Sequence, residues 1–156
     1  MIKPRYISKV SVTRPNNTDA YTANDVLGTD PASVIQFTNI APEGGGTIVL
    51  LYASMRIDAG SSTQGQTRLH LYSSAPAGIA DNAAFNLPSG DRDKYLGYIT
   101  LSAPVDLGDT MFTEDDFLRK TITATSSSVF AIAETTSAFT PAASTVRVLE
   151  LRSVEA

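Results

Sequence analysis

The chain has 156 residues, no cysteine, a single histidine and a formal net charge of −4. One domain of this size buries roughly 68–70% of its unfolded surface, so it holds a core without staples, and the missing cysteines exclude disulfides and thiolate metal sites. Basic residues such as Arg56, Arg68 and Arg147 stand singly, which gives no nucleic-acid footprint; the longest apolar run, residues 48–53, is far short of the ~20 residues of a membrane span.

The chain begins MIKPRYISKV, with no apolar h-region and no small-residue cleavage site, so no signal peptide is expected. Residues 1–5 read as a short arm, because Pro4 cannot pair fully as a strand. Period-2 alternation and β-branched residues then predict strands at 5–13, 33–40, 46–58, 67–73, 95–102, 119–124, 128–135 and 144–154. Gly, Pro, Asn, Asp and Ser fill the gaps. Eight short strands without a βαβ rhythm predict one all-β domain over 1–156, an antiparallel sandwich or barrel.

Four stretches carry more detail. Connection 14–31 holds Pro15, Gly28 and Pro31 around a short helical turn expected at residues 21–27. In the third strand Val49, Leu51, Ala53, Met55 and Ile57 share one apolar face, and Ile48, Leu50 and Tyr52 make the other face apolar too. That second face is either covered by a loop or a subunit contact. Connection 74–94 contains Pro76, Gly78, Pro88 and Gly90, and connections this long are usually functional or interacting. Thr113-Glu-Asp-Asp116 has the chemistry of a helix N-terminus. The last strand changes phase between Val146/Val148 and Leu149/Leu151; a bulge near Val148 keeps all four inward, unless both faces are buried.

Little here suggests chemistry. His70 alternates with Arg68 and Tyr72, and neither a nucleophile elbow nor a cysteine exists to partner it. Asp91/Asp93 and Glu114/Asp115/Asp116 sit in polar, turn-like sequence without the facing pair a glycosidase needs. Asp91-Arg-Asp93 lacks the sixth-position Gly and closing Glu of a calcium loop, so a structural loop is expected rather than a weak calcium site. Gly44-Gly45-Gly46 leads into a strand and not into the helix of a phosphate loop. Asn16-Asn17-Thr18 matches a glycosylation sequon, a pattern common by chance. The expectation is no enzyme, no cofactor and no metal.

Two segments carry a resemblance. The first runs from Val12-Thr-Arg14-Pro-Asn-Asn-Thr-Asp-Ala-Tyr21 to Val26-Leu-Gly28. The second contains Arg68-Leu-His-Leu-Tyr72, Ala75-Pro76, Ala80-Asp-Asn-Ala-Ala-Phe85 and Tyr95-Leu-Gly97. Together they resemble small virion-associated proteins of tailed bacteriophages, over roughly residues 10–100. The resemblance implies a jelly-roll-like sandwich, often trimeric, that decorates and cements an assembled head. Its implied partners are its own copies and a major capsid protein, with no nucleic acid and no membrane. Its implied location is the exterior of the phage head, after synthesis in the host cytoplasm. A tail, baseplate or receptor-binding (carbohydrate-binding) module is the alternative. Physically, Tyr21, Val26 and Leu27 are placed to pin the first long connection, and Asn82 and Phe85 the second. The candidate subunit or capsid contacts are Ile48, Leu50, Tyr52, Arg14, Tyr21 and Phe85. Both connections either cap their own subunit or reach a neighbour.

Overall fold

A computed structural model describes residues 2–60 and 63–156. Its strands are β1 (Arg5–Thr13), β2 (Ile35–Phe37), β3 (Gly46–Ile57), β4 (Thr67–Tyr72), β5 (Tyr95–Leu101), β6 (Val105–Asp106), β7 (Met111–Asp115), β8 (Lys120–Ala124), β9 (Val129–Thr135) and β10 (Val146–Glu155). One sheet runs β1-β10-β3-β7-β6, with β8 also on β3; the other runs β2-β9-β4-β5. All pairs are antiparallel. With β6 and β7 set aside as an insertion, the sheets read β1-β10-β3-β8 and β2-β9-β4-β5. Two four-stranded sheets wound in this order are a jelly roll.

The inner faces close on one apolar core. Val12, Leu50, Met55, Ile57, Leu149 and Leu151 from the larger sheet meet Phe37, Leu69, Leu71, Ile99, Val129 and Ala131 from the smaller one. Completely burying a side chain such as Leu50 is worth about 1.5–3 kcal/mol.

β3 corrects the expected faces. Its pairing with β10 slips between Tyr52↔Arg152 and Leu50↔Ser153, which leaves Leu51 as the extra residue of a bulge. The bulge lies where β3 changes partner, from β7 at Ala53 to β8 at Leu50. Ile48 and Leu50 therefore turn inward together with Ala53, Met55 and Ile57, all 1% exposed or less. Val49, Leu51 and Tyr52 remain half-buried on the other side. Ile48 and Leu50 are core residues and cannot form an exposed contact patch.

β10 has no bulge at Val148. It alternates regularly, so Arg147, Leu149, Leu151 and Ser153 face in while Val146 and Val148 stay half-exposed. The helix start expected at Thr113 is instead strand β7, because Met111 and Thr113 bury against the core while Glu114 faces out. Backbone pairing with Ala53–Ile57 outweighs the local capping chemistry. Residues 21–27 likewise form isolated bridges rather than a helical turn. Of the expected strand 33–40 only Ile35–Phe37 is regular.

Gly44 and Gly45, with Gly46 at the start of β3, form a tight turn, all with positive φ. A Cβ at Gly45 would lie 2.4 Å from the Ala124 carbonyl oxygen, so only glycine fits there.

Candidate functional site

The two long connections lie against each other; the first extends the smaller sheet beside β9, and the second covers that sheet's outer face. Residues 24–27 pair with the end of β9 through Leu27 N–H to Ala133 O (2.9 Å), Asn24 N–H to Thr135 O (2.8 Å) and the bridge Val26↔Glu134. On their other side they pair with residues 82–85, through Val26 N–H to Ala83 O (2.8 Å) and Phe85 N–H to Asn24 O (2.8 Å). Asn82 supports the turn in a left-handed conformation, φ 64°. Under this cover a second small core forms from Val26, Tyr72 and Ile132, packed by Ile79, Phe85 and Leu87. Both connections thus cap their own subunit.

A buried polar clasp fastens them at one point. Asp81 accepts the Tyr21 hydroxyl (2.6 Å) and the Gly28 N–H (3.0 Å) on one oxygen. Its other oxygen faces the Arg14 guanidinium at 3.5 Å. Arg14 also donates to the Tyr21 hydroxyl (3.1 Å), to the Asn17 side chain (3.0 Å) and to the Asn17 and Ala142 carbonyls. Arg14, Tyr21, Gly28 and Asp81 all come from the two segments that carry the sequence resemblance, and here they meet. Arg14 and Tyr21 are each 1% exposed, so they hold the subunit together and do not contact another.

Arg147 completes the clasp from β10. It is also 1% exposed, its guanidinium 6.0 Å from the centre of the Tyr21 ring. Among the described residues, none of its three guanidinium nitrogens has a hydrogen-bond partner. Burial lowers its pKa against the opposing pull of Tyr21 and Asp81, and burial also raises the Tyr21 pKa. Asp81 and Arg147 were not singled out in the sequence. The signal for Arg147 was present, since strict alternation places it on the face of Leu149 and Leu151.

The single histidine sits in the second core. His70 Nε2 is 2.7 Å from Glu134, and its Nδ1 is 2.8 Å from the Tyr95 hydroxyl. Glu134 accepts also from Arg68 at 3.2 Å. The arrangement fits a neutral imidazole that donates from Nε2 to the carboxylate and accepts the tyrosine proton at Nδ1. Phe85 stacks on the ring, centroids 3.8 Å apart. Burial pushes the His70 pKa below 6.5, against the pull of Glu134. Phe85 is half-buried as the lid of this cluster. His70 carries the loop and does not lie at the surface.

Asp91 has a similar structural role. It is a buried residue in the first turn of the 3-10 helix Ser89–Lys94 and accepts the Ala77 N–H (3.0 Å) and the Lys94 ammonium (3.1 Å). Those contacts, the Ala77 N–H first, lower its pKa.

Among the described residues, no such cover lies on the outer face of the larger sheet. A groove of about 360 Å³ lies between β1, β10 and β3, walled by Ile7, Leu51, Tyr52 and Val154 and bordered by Arg5, Arg152 and Asp116. The Arg152 guanidinium stacks 4.2 Å above the Tyr52 ring, whose hydroxyl donates to Glu114 (2.8 Å). Ile7 is 60% exposed and Phe117 82%. Tyr52 is the one candidate contact from the sequence that this face retains.

No protein-family model and no curated protein matches the chain. Among solved structures it is similar to the capsid of Helicobacter pylori bacteriophage KHP30 (16% identity, 98% of this chain and 90% of that one, TM-score 0.36). It is also similar to a lipoprotein of Bacteroides thetaiotaomicron (8% identity, 97% and 84%, TM-score 0.39) and to Cocksfoot mottle virus (11% identity, 97% and 92%, TM-score 0.33). Scores this low leave the fold assignment on the strand order itself.

Proposed function

We propose that this chain is a structural protein of a virus particle, a bacteriophage head protein that binds the assembled shell and stabilises it. The observation that carries this reading is the division of the jelly roll into two unlike faces. One sheet is sealed by the chain's own long connections. The other presents a bare outer face with an apolar groove. A rigid module with one open face fits a role of contact rather than turnover, and the resemblance over residues 10–100 points the same way. The buried His70 and Asp81 networks are closed on themselves and serve the fold. Several weak contacts made at once from one oligomer gain strength because the later ones are intramolecular.

Adding the purified protein back to shells that lack it tests the proposal. Saturable binding at positions between capsomers and a higher temperature of shell disruption are expected. Binding to tails alone, or none to mature shells at any concentration, transfers the assignment to a tail or receptor-binding module.

A further inference from the structure

The larger sheet separates charge between its two edges. β1 forms one edge and β6 the other. Residues 2–18 contain the exposed Lys3, Arg5 and Lys9, besides the buried Arg14, and no acid, whereas residues 102–118 contain Asp106, Asp109, Glu114, Asp115 and Asp116 and no base. Arg5, Ile7 and Lys9 share the outer face of β1, since the intervening residues Tyr6 and Ser8 turn inward. Lys9 and Arg152 share Glu150 at 3.5 and 2.6 Å, while Arg5 is exposed beside the groove with no ion pair among the described residues. At the opposite edge β6 and the β6–β7 turn present Val105 and Leu107, 62% and 64% exposed, on either side of Asp106, with Asp109 following. The groove is apolar with Arg5 at its β1 border and with Arg152 and Asp116 on its other sides, and the opposite edge carries Val105 and Leu107 next to Asp106 and Asp109.

We propose that these two edges bind each other between copies of this chain, the β6–β7 turn of one copy seated against the β1 groove of the next. Lysines on an edge strand also serve to keep it unpaired. β1 departs from that pattern by carrying Ile7 in the open beside an apolar groove. Two different patches on one subunit make a head-to-tail contact, which closes into a ring or continues as an array. The inference concerns the isolated protein and does not depend on shell binding, so either can fail alone.

The test is self-association measured by sedimentation and light scattering up to about 100 µM, a range that detects contacts of micromolar strength. Charge reversal at either edge, Asp106→Lys with Asp109→Lys or Arg5→Glu with Lys9→Glu, is expected to weaken association by about tenfold or more. All four positions are exposed, and unchanged circular dichroism and melting verify that each variant folds. Mixing the two reversed variants restores association, because each now offers the edge the other needs. The chain has no cysteine, so an Ile7→Cys protein mixed with a Leu107→Cys protein gives a clean read of the contact by disulfide formation between the two. A parent that stays monomeric, or an association indifferent to both reversals, overturns the proposal.

Discussion

Arg147 is a guanidinium at 1% exposure with no hydrogen-bond partner among the described residues, next to a second buried arginine and one carboxylate. Asp81 is already engaged by Arg14, Tyr21 and Gly28, so Arg147 contributes a buried charge with little direct compensation. Replacing such an ion by an apolar side chain of similar volume often stabilises by about 1–4 kcal/mol. Arg147→Met is therefore expected to raise the denaturation midpoint. Arg14→Met removes four donated hydrogen bonds and is expected to cost about 3–5 kcal/mol. Equal effects of the two substitutions would show that the arginines share the clasp evenly. His70 gives the second test at this scale. Its pKa in the fold lies below 6.5 because burial disfavours the imidazolium. Between that value and 6.5 the unfolded chain takes up a proton that the folded chain refuses. Its contribution is complete above about pH 6.5 and is lost as pH falls through the folded pKa. Melting between about pH 7.5 and about pH 5 should show this loss, and His70→Gln should flatten it. A slope that survives the substitution assigns the effect to other groups.

The elements show where alternation reads correctly and where it slips. Eight of the ten strands stand out in the sequence because each is a run of alternating β-branched and apolar residues. β6 and β7 do not: one has two residues, and the other carries an acidic run that mimics a helix start. β3 was found with the correct start but the wrong faces. A count of two carried through Leu51 exchanges inside for outside beyond that point, and nothing in six consecutive apolar residues marks the extra one. Partner change along the strand creates the bulge, and pairing with β7 and β8 is a long-range fact. Alanine at Leu50 and at Leu51 separates the two registers. Leu50→Ala is expected to cost about 2–5 kcal/mol, as for a filled core site, and Leu51→Ala less than about 1 kcal/mol, as for a half-exposed one. Comparable losses would place both side chains in the core and remove the bulge. Ile48 and Leu50 fail as candidate contacts for the same reason, since the outer face belongs to Val49, Leu51 and Tyr52.

At the scale of the molecule, the clasp joins parts of the chain that are far apart in sequence. Arg14 follows β1, Asp81 lies in the second long connection, and Arg147 sits near the start of β10. Tyr21 joins them and bridges to Phe139. Arg14, Tyr21 and Asp81 lie in the segments that carry the resemblance, but the sequence does not show that they meet, because the meeting depends on how the roll is wound. One carboxylate thus holds two connections and faces two buried cations. Asp81→Asn keeps an oxygen to accept from Tyr21 and Gly28 but leaves Arg14 and Arg147 without a counter-charge. Breaking a buried pair in this way costs about 3–5 kcal/mol. The loss should appear first in the connections, as faster amide exchange at residues 24–27 and 82–85 while the sandwich strands stay protected. Adding Arg147→Met to Asp81→Asn should recover more stability than Arg147→Met gives the parent, because the charge it removes is then wholly uncompensated. That excess is the coupling between the two sites, read from the double-mutant cycle. A coupling of zero would mean that Asp81 does not reach Arg147, and the clasp would then consist of Arg14, Tyr21 and Asp81 alone.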